Sequence, residues 1–188
     1  MSDDSPVSKL VRQLQLQPHP EGGYYRETFR SDIQVPFQGR SRCAATSIYY
    51  LLADGAWSAW HRIDADETWY FHTGTTPVAL HVLSPEGALT THRLGNPLEH
   101  GNLCPAADTT AAPKRGVALQ AAVPAGSWFA AELEDPAGHA LLGCSVSPGF
   151  EFSGFELADE RDIQAAIERH GHWLRRLLKP LDTAPRQN

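Results

Sequence analysis

The residues best suited to chemistry lie close together. Between Gly55 and Gly74 the chain reads Gly-Ala-Trp-Ser-Ala-Trp-His-Arg-Ile-Asp-Ala-Asp-Glu-Thr-Trp-Tyr-Phe-His-Thr-Gly. His61 and Glu67 flank the turn-forming Asp64-Ala65-Asp66, so a hairpin brings Glu67 back beside the strand that carries His61. A carboxylate near an imidazole raises the imidazole pKa and fixes one tautomer, whereas desolvation lowers it. Such a pair can move a proton near neutral pH, and His61 and Glu67 are the candidate catalytic residues. The competing expectation is a buried, hydrogen-bonded pair kept for structure or ligand binding. Strand side chains alternate faces: if Glu67 points inward, Trp69 and Phe71 do too, and His72 points outward. His72 and His81 are expected at the surface or at an interface.

Aromatic residues surround this stretch. Tyr49, Trp57, Trp69, Phe71, Trp128 and Phe129, with a few polar groups, would suit a pocket for a small organic ligand. Strand parity should leave about half of the six in contact with it. Glu21-Gly-Gly-Tyr24-Tyr25-Arg26-Glu27 adds charge near the rim. Its glycines allow close backbone approach or positive φ. Arg26 could grip a carboxylate or phosphate bidentately, or pair with Glu27 at a dimer seam.

The elements that must hold these residues are mostly strands. Ser5-Pro6 reads as an N-cap followed by proline at the first helical position. Val7, Leu10, Val11 and Leu14 recur at helical spacing, and the helix should stop near Leu16, ahead of Pro18 and Pro20. Short β-rich runs follow over 45–52, 57–63, 68–73, 78–83, 89–94, 119–123, 127–133 and 140–146, split by turn residues. Short strands at this spacing, without helices between them, predict a mainly β sandwich or barrel. A last helix over about 160–178, capped by Asp159, would place Ile163, Ala166, Ile167, His170, Leu174 and Leu177 on one stripe. The expected division is an N-terminal helix and linker over 1–21, one barrel over 22–158, and a C-terminal helix and tail over 159–188. Residues 99–115, rich in Ala, Thr, Pro and Gly, interrupt the rhythm and read as a mobile loop or lid.

Composition narrows the function classes. A chain of 188 residues supports one domain with its own core. Its net charge of −6 argues against nucleic acid as the main partner. Arg169, Arg175, Arg176 and Lys179 are interleaved with acids and apolar residues, as on a solvated helix face. No apolar run approaches the roughly 20 residues needed to cross a bilayer, and the polar, acidic N-terminus does not read as a secretory signal. Cys43, Cys104 and Cys144 are scattered and odd in number, which fits a reducing cytoplasm.

The Gly55–Gly74 stretch resembles the first cupin motif through Gly55, His61, Glu67 and Gly74, and Pro124-Ala-Gly126-Ser-Trp-Phe129 matches the turn of the second. Thr46-Ser-Ile-Tyr-Tyr-Leu-Leu52 and Val146-Ser-Pro148-Gly149-Phe150-Glu-Phe extend the likeness. Over roughly residues 8 to 160 the chain is similar to the small-cupin group called domain of unknown function 985. That resemblance implies a double-stranded β-helix (jelly-roll) barrel, a pocket and a homodimer, and carries no reaction with it. Metal-using cupins hold their ion with three histidines and one glutamate; at those positions this chain has His61, Ile63, Glu67 and Phe129, so two ligands are replaced by hydrocarbon. No metal or other cofactor is therefore expected, since catalytic sites usually keep three protein ligands. The metal-independent dTDP-keto-sugar epimerases share the barrel and use histidine-centred proton transfer, an analogy of fold alone. Three functions stay open: a metal-independent isomerase or epimerase of a small sugar-like carbonyl compound, a non-catalytic metabolite-binding cupin, and a metal-dependent oxygenase or isomerase with altered ligands.

Overall fold

The computed structural model describes residues 5–103 and 116–179. The chain begins with α1 (Pro6–Leu14), whose Ser5 side chain accepts the Ser8 N–H at 3.0 Å. The helix ends where Gln15 turns left-handed, at φ 55°. Nine strands follow: β1 (Gln17–Pro18), β2 (Tyr24–Arg30), β3 (Gln34–Phe37), β4 (Arg40–Cys43), β5 (Thr46–Ala53), β6 (Ser58–Ile63), β7 (Asp66–Gly74), β8 (Val78–Leu83) and β9 (Leu89–Leu94). Then come β10 (Asn102–Leu103), β11 (Gly116–Val117), β12 (Gln120–Val123), β13 (Trp128–Leu133), β14 (His139–Ser147) and β15 (Phe155–Leu157).

Two antiparallel sheets face each other, in the orders β1-β2-β5-β14-β7-β12 and β15-β6-β13-β8-β9. This is the jelly-roll architecture expected from the strand spacing. Alternation does the sorting. Along β7, Glu67, Trp69 and Phe71 are buried between the sheets while their neighbours are more exposed. Trp69, Phe71, Leu80, Phe129 and Leu142 share that central core. The outer faces are covered separately. α1 lays Val7, Leu10, Val11 and Leu14 against Leu51 and Leu141, and the C-terminal segment buries Trp60 against Ile163, Ile167 and Leu174.

The C-terminal helix differs from the expected continuous one. It is α2 (Gln164–His170) followed by a 3₁₀ segment at His172–Leu177. Gly171 breaks it with a φ of 116°, which a continuing helix cannot contain. Asp159 caps the turn ahead of it instead, accepting the N–H groups of Arg161 and Asp162. The predicted lid over 99–115 falls largely outside the described residues, as does Cys104. Its first part is pinned: His100 Nδ1 accepts the Asn96 N–H at 3.0 Å, and its ring meets Phe71 edge-on. No helix among the described residues is long and apolar enough to cross a membrane.

One tight turn brings the N-terminal segment to the barrel mouth. Gly22 has a φ of 120°, and a Cβ there would lie 2.0 Å from the Trp57 carbonyl oxygen. Gly22→Ala is therefore expected to cost about 2 kcal/mol or more in urea unfolding, since strain and a backbone clash act together. Gly39→Ala, where a Cβ meets nothing within 4 Å, should cost measurably less.

Candidate functional site

A cavity of about 450 Å³ opens between the sheets, within the size range of small-molecule sites. His61 enters it from β6. The strand's alternation sends Trp60 outward beneath the C-terminal segment and His61 inward against Phe129, with ring centroids 3.9 Å apart. Its Nδ1–H donates to the Ala59 carbonyl at 2.7 Å. That leaves the Nε2 lone pair facing the Glu21 carboxyl, whose Oε2 lies 3.0 Å away.

Glu21 comes from the turn ahead of β2, which is stitched to the barrel. Its carbonyl accepts the Ala59 N–H at 2.9 Å, and the Ser58 hydroxyl donates to its Oε1 at 2.9 Å. His19 Nδ1 accepts the Glu21 backbone N–H at 3.3 Å, so that nitrogen carries no proton for the carboxylate 3.5 Å away. Burial lowers the His19 pKa, opposed by the charge of Glu21. Burial also lowers His61 to about 4 and raises Glu21. A bare carboxylate opposite a bare lone pair at 3.0 Å would repel it, so one proton sits between Glu21 and His61. The low-dielectric surroundings favour the neutral arrangement, a carboxylic acid donating to imidazole.

Glu67 occupies the same cavity from β7, opposite Val146 of β14. Burial pushes its pKa up to about 8, with the charge of Glu21 adding to the rise. The Cys144 thiol, itself raised well above its ordinary value by burial, donates to this carboxyl and stays protonated. The Trp69 indole N–H points toward Glu67 without reaching hydrogen-bonding geometry and is a buried donor with no partner. The cavity thus holds two carboxyl groups whose pKa burial raises, Glu67 to about 8, and Glu21 is coupled to a histidine.

Of the residues expected to line the pocket, Trp69 does so. Phe71 and Phe129 face the barrel interior but pack into its core. Tyr49, Trp57, Trp128 and Arg26 are corrections. Tyr49 is the outward neighbour of Tyr50, and its ring meets His72 at 6.0 Å on the outer face. Trp57 and Trp128 pack under the C-terminal segment, with the Arg62 guanidinium 4.5 Å above Trp128. Arg26 lies across from Tyr49 and bonds Gln15. His72 is exposed as expected, but His81 is buried outside the barrel, between Thr91 Oγ1 at 2.9 Å and Glu132 Oε1 at 3.2 Å. The sequence reading put the Glu21–Glu27 segment at the rim but singled out Arg26 in place of Glu21, Tyr25 and Glu27, and it missed Tyr50 and the Phe150–Phe155 rim. Parity held the signal for two of these, because Tyr25 and Glu27 must face opposite to Arg26.

The profile of the cupin superfamily (DUF985) matches residues 8–158. This chain belongs to that family. Among solved structures, the cupin is similar to a Shewanella oneidensis protein at 35% identity, over 95% of this chain and 100% of that one, with a TM-score of 0.75. It is also similar to a hypothetical protein from Leishmania major at 30% identity, over 91% and 97% of the two chains, with a TM-score of 0.74. Oxalate decarboxylase from Bacillus subtilis matches at 15% identity, over 85% of this chain and 36% of that one, with a TM-score of 0.48. The search of curated proteins found no match.

The metal common in cupins does not fit this donor set. Ile63 and Phe129 stand at two ligand positions, and both nitrogens of His61 are already engaged. Among the described residues no group of three or more His, Cys, Asp or Glu side chains could hold an ion.

The raised Glu67 pKa makes folding pH-dependent. Below pH 4.5, its ordinary value, the carboxyl is protonated in folded and unfolded chains alike. As pH rises from there to about 8 the unfolded chain releases a proton that the folded one keeps, so stability is lost. Glu67→Gln should flatten the decline of unfolding free energy with pH across that window by up to ~1.4 kcal/mol per pH unit, as measured by urea melts at several pH values.

Proposed function

We propose that this cupin is a metal-independent isomerase or epimerase that moves a proton next to the carbonyl of a small, sugar-like compound. The observation that carries this reading is the proton-sharing Glu21–His61 pair in one cavity with the neutral acid Glu67. Movement of the shared proton onto His61 Nε2 leaves Glu21 as a carboxylate, which takes the proton from the carbon beside the carbonyl. The electron pair of that C–H bond moves into the carbonyl group, and the Glu67 carboxyl proton stabilises the charge that grows on its oxygen. Return of the proton to the other face, or to the neighbouring carbon, gives the epimer or the isomer. Burial raises the Glu67 pKa to about 8, which keeps its proton available to the carbonyl oxygen near neutral pH.

A second reading is a cupin that holds a metabolite without turning it over. It is favoured by the full engagement of His61, whose two nitrogens both have partners before any ligand arrives. Exchange of substrate C–H for deuterium in heavy water, followed by proton NMR, separates the two. Under the first reading, His61→Ala and Glu21→Gln each lower exchange at least about a hundredfold, in line with loss of general acid–base catalysis, while both variants stay folded. Binding without exchange in the unmodified protein supports the second.

Assembly as a homodimer belongs to the same proposal. β1 covers β2 only at Tyr24 and Tyr25, and no described strand pairs with the outer edge beyond. An uncovered edge is a template for pairing with another copy. Light scattering at micromolar concentration should give twice the chain mass; a monomer mass throughout overturns this part.

A further inference from the structure

The charges around the cavity restrict what can enter it. Its lining contains four carboxyl groups, those of Glu21, Glu27, Glu67 and Glu151, and among the described residues a single permanent cation, Arg30. That guanidinium is already engaged through every nitrogen. Nε and Nη2 donate to the two Glu27 oxygens at 2.9 and 2.7 Å, Nη2 also reaches the Phe150 carbonyl, and Nη1 meets Cys43 Sγ. Glu151 is paired with Arg40 at 3.4 Å. Lys179, beside the His19 turn, donates to the Pro20 carbonyl at 2.7 Å. The two histidines do not supply positive charge either, because burial holds both below their ordinary pKa. A phosphate or carboxylate buried here would meet no uncommitted cation, and burying a charge without a partner is strongly unfavourable.

Uncharged polar groups are well served by the same walls. The Trp69 indole N–H, 1% exposed, lacks an acceptor. The Glu67 carboxyl can donate or accept, and Glu21 lies opposite. Ile48, Ile63, Val146 and Phe155 supply an apolar surface beside these groups, the mixture that binds a compact molecule with hydroxyls on one side and C–H bonds on the other.

We infer that the cavity takes an uncharged hydroxylated carbonyl compound: a free sugar, as opposed to a sugar phosphate, nucleotide sugar or sugar acid. The carbonyl rests on the proton-transfer reading above; the exclusion of anions rests on the engagement of the Arg30 guanidinium alone. Glu27 acts as a gatekeeper in this arrangement, since its removal would release the Arg30 fork toward the mouth.

The test is calorimetric titration of the full-length protein with glucose, mannose and fructose, the 6-phosphate of each, and glucuronate. At least one free sugar should bind ten or more times tighter than its phosphate, and glucuronate should bind no better than the phosphates. Glu27→Gln should tighten phosphate binding at least threefold and leave the free sugars within twofold. Equal or tighter binding of the anions by the unmodified protein, no binding of any of the seven compounds, or no change in phosphate affinity in Glu27→Gln overturns the inference. Selective binding of a free sugar with no deuterium incorporation leaves it standing and removes the proton-transfer reading, so the two fail separately.

Discussion

A carboxyl group enclosed in a protein barrel is tolerated only when its proton or its charge has a partner, and the contact between Glu21 Oε2 and His61 Nε2, at 3.0 Å, meets that condition. Neither group would sit comfortably alone: burial raises the acid and depresses the base, and together they hold one proton in a nearly neutral unit. Much of the surrounding structure serves this contact. The Ala59 carbonyl fixes the imidazole tautomer, the Ser58 hydroxyl fixes the far carboxylate oxygen, and the Ala59 N–H anchors the Glu21 backbone. Two successive positions at the start of β6, Ser58 and Ala59, therefore hold both partners, so the pair moves as part of the sheet.

The outer layers stiffen that strand from behind. Trp60, next to His61, points the other way and donates its indole N–H to the Leu174 carbonyl at 3.0 Å. The C-terminal segment thereby clamps β6 while its inward face carries His61. On the opposite sheet, α1 covers Leu51 and Leu141, and Tyr50 between the strands donates its hydroxyl to the Gly22 carbonyl at 2.9 Å. The two terminal arms bear on the two halves of the site, β6 with its histidine and the turn with its glutamate. A fixed acid–base pair has its proton acceptor oriented before a ligand arrives.

The hydrocarbon of Ile63 and Phe129 shapes the surroundings of His61 and Glu67. Phe129 packs its ring against His61, and Ile63 contributes to the apolar wall. Hydrocarbon at these places lowers the local polarity that burial relies on to keep Glu67 protonated up to about pH 8. The cavity between the sheets surrounds two buried carboxyl groups, Glu21 and Glu67, whose pKa that burial raises.

The strand pattern determined most of the fold. Turn residues at short intervals and period-two alternation placed the eight expected strands to within a residue or two, because sheet formation between two faces leaves little freedom in which side chains turn inward, but the short strands β1, β3, β4, β10, β11 and β15 were not among them. The first motif likewise put His61 and Glu67 in one cavity. What the tertiary structure decided was the partner of His61. Glu21 reaches it from forty residues earlier in the chain, through a glycine turn pressed against the Trp57 carbonyl, and no local spacing encodes a contact between segments that meet only when the barrel closes. The fates of Tyr49, Trp57, Trp128 and Arg26 followed the same logic. Aromatic or charged type says that a side chain can line a pocket, but face parity and the packing of the terminal arms on the outer sheets decide whether it does.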